Sequence, residues 1–197
     1  MLLAANHISW LDIVLMLASS PCHFVAKSEI ARWPLLGRLT RAAGTLFIAR
    51  DSARDALRVV HHMADELRAG AVLAVFPEGT TSDGLRLLPF HANLFQAAIS
   101  ADAPVQAVAL QFVDARSGQV SRTPCYIDDD SLIESVWRTL RAPPLLARVR
   151  FGAVQTCQQR SRRVWAQDVR LEIGMLLSGV TTPEQQTPSV DGHAMDA

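Results

Sequence analysis

The chain has 197 residues, of which 49% are hydrophobic and 19% are charged. This composition excludes intrinsic disorder over most of the chain, because disordered segments combine low hydrophobicity with high net charge. The 19 Lys and Arg residues balance the 19 Asp and Glu residues. We therefore expect no nucleic-acid partner, since no net positive charge is available to attract one.

The cysteines and the apolar segments narrow the class of protein further. Cys22, Cys125 and Cys157 are odd in number, far apart and without metal-ligand spacing. They predict reduced thiols in a reducing compartment, with neither a disulfide framework nor a metal site. The longest apolar stretch, residues 10–18, is interrupted by Asp12 and falls short of the roughly 18 to 20 residues that a membrane-spanning helix needs. Any membrane contact of this chain is therefore expected to be peripheral.

Strand and helix patterns alternate along the chain. Apolar runs predict strands at 2–5, 23–26, 45–49, 71–76, 105–113 and 147–151, and the continuous run at 71–76 is typical of a strand buried on both faces. Amphipathic spacing, N-cap residues and terminal glycines predict helices at 9–19, 34–43, 51–69, 91–100, 131–141 and 160–177. The alternation predicts an α/β fold: a single layered domain, residues 1–180, with a mostly parallel sheet flanked by helices. Residues 181–197 are polar and interrupted by proline, and we expect a disordered tail there.

The first candidate for chemistry is the pair His7 and Asp12. The string that begins at Ser9 has the form of a capping box, in which Ser9 starts a helix and an acid follows three residues later. Residues five apart on one helix do not face each other, so the pair can meet only if His7 precedes the helix and Asp12 lies in its first turn. Asp12 would then hold one imidazole nitrogen and leave the other as a base. The alternative is that both residues are structural, since capping acids are common.

Arg50 follows the predicted strand at 45–49 directly. The carboxyl ends of strands are where α/β sheets bind ligands, and a guanidinium group there could hold a phosphate in a bidentate manner. The alternative is a surface arginine that pairs with Asp51 or Asp55.

The polar turn after the strand at 71–76 contains Glu78, Gly79 and Thr80. Gly79 allows a close backbone approach or a positive φ, and the threonine hydroxyl adds a donor. Glu78 would lie at the same edge of the sheet as His7. The alternative is an ordinary polar turn.

In their order and spacing, these segments resemble the glycerolipid acyltransferase family, the 1-acylglycerol-3-phosphate acyltransferases of bacteria and eukaryotes. The resemblance covers roughly residues 3–155 and rests on four blocks. The blocks are N-H-x-x-x-x-D at Asn6, His7 and Asp12; G-x-x-F-I-x-R at Gly44, Phe47, Ile48 and Arg50; F-P-E-G-T-R-S at Phe76, Pro77, Glu78, Gly79, Thr80 and Ser82; and, more loosely, V-P-V-x-P-V-A over 104–109.

The resemblance implies transfer of a fatty acyl group to the sn-2 hydroxyl of lysophosphatidic acid, which gives phosphatidic acid. The donor would be acyl-CoA or acyl carrier protein, with no further cofactor and no metal. His7 would be the general base and Asp12 its orienting partner. Arg50 would bind the acceptor phosphate, and Glu78, Gly79 and Thr80 would shape the acceptor site. The implied location is the cytoplasmic face of the cell membrane, by peripheral contact.

Two departures from the family pattern leave alternatives open. Thr81 replaces an arginine that the family uses to grip the acceptor's phosphate, so another lysolipid, such as lyso-ornithine lipid, is an alternative acceptor. Family members usually carry N-terminal membrane-binding helices, which we expect this chain to lack. A truncated, non-catalytic lipid-binding form is therefore a second alternative, although the presence of both His7 and Asp12 favours an enzyme.

Overall fold

A computed structural model describes residues 1–27, 45–48, 53–127 and 130–179. The predicted helix at 34–43 and the predicted tail at 181–197 lie outside these residues. The described elements, in chain order, are β1 (Leu2–Ala5), α1 (Leu11–Ser19), β2 (His23–Lys27), β3 (Leu46–Ile48), α2 (Ala53–Arg68), β4 (Leu73–Val75), α3 (Asn93–Ser100), β5 (Val105–Asp114), α4 (Leu132–Leu140), β6 (Leu145–Gln155) and α5 (Arg162–Ser178).

The strands form one sheet in the order β3-β2-β4-β1-β5-β6. All neighbouring pairs among β1 to β5 are parallel, and β6 runs antiparallel to β5. The predicted α/β fold with a mostly parallel sheet is confirmed. The strand predicted at 147–151 is longer than expected, because β6 pairs with β5 from Val105↔Gln155 to Asp114↔Leu145.

The core lies on both faces of the sheet. Leu2, Leu73 and Val105 point to the face covered by α2, α3 and α5. Leu3 and Ala74 point to the opposite face, against α1. All residues of β1 and β4 are buried, which confirms the two-sided burial predicted for the run at 71–76 and explains its lack of polar alternation.

The register of β1 and β4 positions the residues that follow them. Ala4 pairs with Val75, so His7 and Glu78, each three residues further along, leave the sheet at the same level. The buried amide of Asn6 donates to the carbonyl of Leu110 at 3.0 Å and accepts from its N–H at 2.7 Å. Asn6 thus continues the hydrogen bonding to β5 after the backbone of β1 has turned away.

No helix among the described residues is both long enough and apolar enough to cross a membrane. Cys22, Cys125 and Cys157 are free thiols. Burial raises the pKa of Cys22 to about 11 and also raises that of Cys125.

Candidate active site

The centre of the candidate site is the contact between His7 and Asp12. The Nδ1 atom of His7 lies 2.8 Å from Oδ2 of Asp12, whose side chain is 0% exposed. The same carboxylate oxygen accepts the backbone N–H groups of Ile8 at 2.6 Å and Ser9 at 2.8 Å. Asp12 therefore fixes both the imidazole ring and the backbone that carries it.

The helix that carries Asp12 begins at Leu11, two residues later than predicted. Ser9 nonetheless makes the contacts of the predicted capping residue, since its Oγ accepts the N–H of Leu11 at 3.2 Å and Trp10 already has helical φ and ψ of −60° and −25°. The Asp12 carboxylate reaches back to the N–H groups of Ile8 and Ser9, as the acid of a capping box does.

His7 is held by its backbone and its ring. Its N–H donates to Oε1 of Glu78 at 2.8 Å, and its carbonyl accepts the N–H of Ser82 at 2.9 Å. The ring stacks on Phe76 with a centroid distance of 3.9 Å and an interplanar angle of 9°. In a neutral imidazole, the carboxylate opposite Nδ1 favours the tautomer with the proton on Nδ1 and the lone pair on Nε2. The side chain is 17% exposed, and none of the described residues forms a hydrogen bond with Nε2, so Nε2 is the nitrogen left for a substrate.

Glu78 is 4% exposed and lies beneath the site. Besides the N–H of His7 on Oε1, it accepts the N–H of Leu88 on Oε2 at 2.8 Å. Burial raises the pKa of its carboxyl group, and the two N–H bonds act in the opposite direction. The structure thus brings Glu78 to the same edge as His7, as predicted, and both of its oxygens bind backbone.

The other predicted site residues are placed as follows. Gly79 has φ +73°, and a Cβ there would lie 2.7 Å from Nε2 of His91, so the turn requires glycine. Thr80 is exposed at the same turn. Arg50 lies outside the described residues. The structure therefore unites His7, Asp12, Glu78 and Gly79 at the carboxyl ends of β1 and β4.

Several contacts of the site were missed in the sequence analysis. The stacking of Phe76 on His7 and the bond from Ser82 could have been found from the motif letters combined with a parallel β1–β4 pairing. The bond from Leu88 to Glu78 has no local sequence signal. Among the described residues, no group of three or more His, Cys, Asp or Glu side chains could hold a metal ion.

A family model described as Acyltransferase matches residues 1–111, more than half of the chain and the whole of this site. The chain belongs to the acyltransferase family. Within this acyltransferase family it is similar to the 1-acyl-sn-glycerol-3-phosphate acyltransferase of Neisseria meningitidis serogroup B, with 43% identity over 167 residues that cover 85% of this chain and 65% of the relative. It is also similar to the lyso-ornithine lipid O-acyltransferase of Pseudomonas aeruginosa, with 36% identity over 94% of this chain and 70% of the relative.

The acyltransferase fold is also seen in a solved structure. The 1-acyl-sn-glycerophosphate (LPA) acyltransferase PlsC from Thermotoga maritima superposes with a TM-score of 0.61 at 20% identity, over 92% of this chain and 67% of that protein. At 20% identity, this likeness shows a shared fold. This chain spans about two-thirds of the length of the relatives named here.

Proposed function

We propose that this chain is an O-acyltransferase that moves a fatty acyl group from acyl-CoA or acyl carrier protein to the sn-2 hydroxyl of lysophosphatidic acid. The observation that carries the proposal is the environment of His7: its Nδ1 is bound to buried Asp12, and its Nε2 has no hydrogen-bond partner among the described residues. Family membership and the named relatives support the reaction class.

His7 supplies the base that the reaction needs. An alcohol is too weak an acid to ionise near neutral pH, so a base must take its proton as it attacks. Nε2 of His7 takes the hydroxyl proton while the hydroxyl oxygen forms a bond to the thioester carbonyl carbon. The carbon–sulfur bond then breaks, and the imidazolium returns the proton to the leaving thiolate. Asp12 stabilises the transient imidazolium, and no acyl-enzyme is required.

Attack on the thioester carbonyl places a negative charge on its oxygen, and this tetrahedral oxyanion needs hydrogen-bond donors, which backbone N–H groups can supply. Those of Ile8 and Ser9 are bound to Asp12, and that of Gly79 is bound to the carbonyl of Phe76. Within the described ranges, none of the residues accepts a hydrogen bond from the N–H of Thr80 or Thr81. We propose these two amides as oxyanion donors, since preorganised N–H groups stabilise such a charge.

Binding of the acceptor headgroup is the second part of the proposal. Arg50 is the residue that the resemblance assigns to the phosphate, with Gly79 and Thr80 at the acceptor site. A second acceptor, lyso-ornithine lipid, is favoured by Thr81, which stands where the family has a phosphate-gripping arginine, and by the similarity to the Pseudomonas enzyme.

One experiment tests the reaction and the acceptor together. Thiol release from a long-chain acyl-CoA is measured in detergent micelles with lysophosphatidic acid, with lyso-ornithine lipid and without acceptor, and the lipid product is identified by mass spectrometry. We expect release that depends on lysophosphatidic acid and yields phosphatidic acid. Release only with lyso-ornithine lipid would mean that this lipid is the acceptor and lysophosphatidic acid is not. If neither acceptor supports release from acyl-CoA or from acyl carrier protein, the proposal is wrong.

We also propose that the chain contacts the lipid bilayer peripherally, through one face of α4. Ile133, Trp137 and Leu140 follow one another at helical spacing and are 82%, 55% and 74% exposed, whereas the buried residue of the helix is Ser135. The guanidinium of Arg141 lies 4.3 Å from the centre of the Trp137 ring. An exposed apolar helix face with an indole and a cation at its border suits the interface between headgroups and acyl chains.

The position of α4 links this face to the site. The indole N–H of Trp10 donates to Oγ of Ser135 at 3.2 Å, so α4 packs beside the segment that links His7 to α1. We propose that a lipid bilayer covers this exposed face of α4, because the proposed acceptor and the acyl chain of the donor are lipids. Binding to phosphatidylcholine–phosphatidylglycerol vesicles should fall at least about tenfold in an I133S/L140S variant, since each side chain contributes roughly 1.5–3 kcal/mol when buried. The control, Leu57→Ser at an exposed position of α2, should bind as wild type does, and equal binding by all three proteins would contradict this contact.

A further inference from the structure

The loop between β4 and α3 is connected to the last helix of the chain by one arginine. Arg170 of α5 donates from Nε to the carbonyl of Leu88 at 2.9 Å and from Nη2 to the carbonyl of Leu87 at 2.6 Å. Its helix is fixed against the sheet, because Val169 and Ile173 on either side are fully buried in the core. Arg170 therefore holds the loop from a rigid support.

One peptide group connects this arginine with the carboxylate beneath His7. The carbonyl of the Leu87–Leu88 peptide accepts from Arg170, and the N–H of the same peptide donates to Oε2 of Glu78. The other oxygen of Glu78 accepts the N–H of His7. The guanidinium and the buried carboxylate thus polarise one peptide group from its two ends, and hydrogen bonds in such a series strengthen one another.

The loop also packs on the core, since Leu87 and Phe90 are partly buried against it. On the outer side Leu85 is exposed, and Leu85 and Leu87 line an open groove of about 600 Å³ together with Leu171 and Met175 of α5. The hydrogen bonds from Arg170 therefore add a directed constraint to this packing. Lysine could not replace the arginine fully, since only a guanidinium presents two N–H donors in a fixed fork.

We propose that Arg170 is a positioning residue for the base His7, acting through the Leu87–Leu88 peptide and Glu78. This proposal rests on the proposed function for its catalytic consequence, while the geometric link is independent of it. Loss of Arg170 lets the Leu88 N–H leave Glu78, and the carboxylate then no longer fixes the backbone of His7. The base would move relative to the hydroxyl, and small misplacements of reacting groups lower turnover strongly.

The test compares Arg170→Met and Arg170→Lys with wild type and with Arg163→Met, a matched change at an exposed arginine of the same helix. Amide hydrogen exchange is followed by NMR at Leu88 and His7, and kcat and KM are measured for acyl transfer. We expect Arg170→Met to speed exchange at both amides by about tenfold or more. We expect its kcat to fall by about 10- to 100-fold, with KM for the acyl donor within about threefold of wild type. Arg170→Lys should give intermediate values.

Each outcome decides a separate question. If Arg170→Met matches Arg163→Met in both exchange and kcat, the positioning role is wrong. If the two amides exchange faster although the wild-type chain transfers no acyl group, the proposed function fails and the link to His7 stands. If Arg170→Met does not fold, Arg170→Lys decides, since it retains the charge on a single donor nitrogen and loses the fork; wild-type exchange and kcat in that variant would overturn the proposal.

Discussion

Replacing Asp12 with asparagine separates the electrostatic role of this residue from its structural role. The Oδ2 atom of Asp12 accepts three hydrogen bonds, from the His7 ring and from the N–H groups of Ile8 and Ser9, whereas its buried Oδ1 has no partner within the described part of the chain. An amide oxygen in place of Oδ2 can accept all three. The amide nitrogen then occupies the buried place of Oδ1 and brings N–H groups that need acceptors, which the carboxylate oxygen did not. The ring would stay in position, but the imidazolium would lose its negative partner.

These contacts allow the loss of folding stability and the loss of turnover to be estimated. A buried donor without an acceptor costs roughly 1–3 kcal/mol, so Asp12→Asn should lower the free energy of unfolding by about that amount and leave the chain folded. Turnover should fall by about 10³- to 10⁴-fold, the scale known for loss of the carboxylate partner of a catalytic histidine. That fall corresponds to about 4–5.5 kcal/mol of transition-state stabilisation, which exceeds the loss in folding stability.

The assay combines urea denaturation, followed by circular dichroism, with kcat for acyl transfer. Asp114→Asn is the matched control, because Oδ1 of Asp114 also accepts three hydrogen bonds, from Arg116 and Ser117, in an exposed turn. The control should keep its turnover. A folded Asp12→Asn variant whose kcat stays within about tenfold of wild type would refute the electrostatic role of Asp12.

Three further predictions follow from buried groups. Glu78→Gln should lower stability at pH 7 by about 1–3 kcal/mol, because both oxygens of Glu78 accept N–H groups and one would become a donor. Since burial raises the pKa of Glu78 above its ordinary value of 4.5, the folded state binds more protons than the unfolded state above that pH, and stability falls as pH rises. The difference in free energy of unfolding between wild type and Glu78→Gln, measured by urea titration, should therefore shrink as the pH is raised from 4.5. A difference that grows with pH would contradict the raised pKa. Gly152→Ala should lower the melting temperature, at a cost of roughly 1–3 kcal/mol, because its Cβ would lie 2.8 Å from the Glu172 carboxyl carbon. In contrast, Gly174→Ala, with its nearest neighbour at 3.9 Å, should be neutral or stabilising by up to about 1 kcal/mol, and equal losses in the two variants would argue against the clash. Cys22, with a pKa of about 11, should resist thiol reagents at pH 8 until the chain unfolds, because only about one thiol in a thousand is ionised; rapid labelling in the native state would contradict its burial.

The sequence allowed the central part of the fold and of the site to be predicted. Continuous apolar runs identified β1 and β4, because strands buried on both faces carry no polar alternation. The capping-box pattern was informative because it brings an acid back toward the residues before a helix, and this is how Asp12 reaches His7. The start of α1 was predicted two residues early, although Ser9 and Asp12 make the predicted capping contacts.

The remaining contacts depend on the tertiary structure. Glu78 meets His7 only through the register of two parallel strands, and Arg170 meets Leu88 across 82 positions of the chain. No local pattern encodes either contact. The outward face of α4 was also not predicted, because an amphipathic helix usually buries its apolar side, whereas this one buries Ser135.

The most direct test of the account is the turnover of His7→Ala with and without added imidazole, under the conditions in which wild type transfers acyl groups. Removal of a positioned general base should lower kcat by at least about 100-fold, and a small base that enters the vacated space should restore part of the rate. The circular dichroism spectrum and melting temperature establish that the variant is folded. A folded His7→Ala protein that keeps its turnover within about tenfold of wild type would contradict the assignment of His7 as the base.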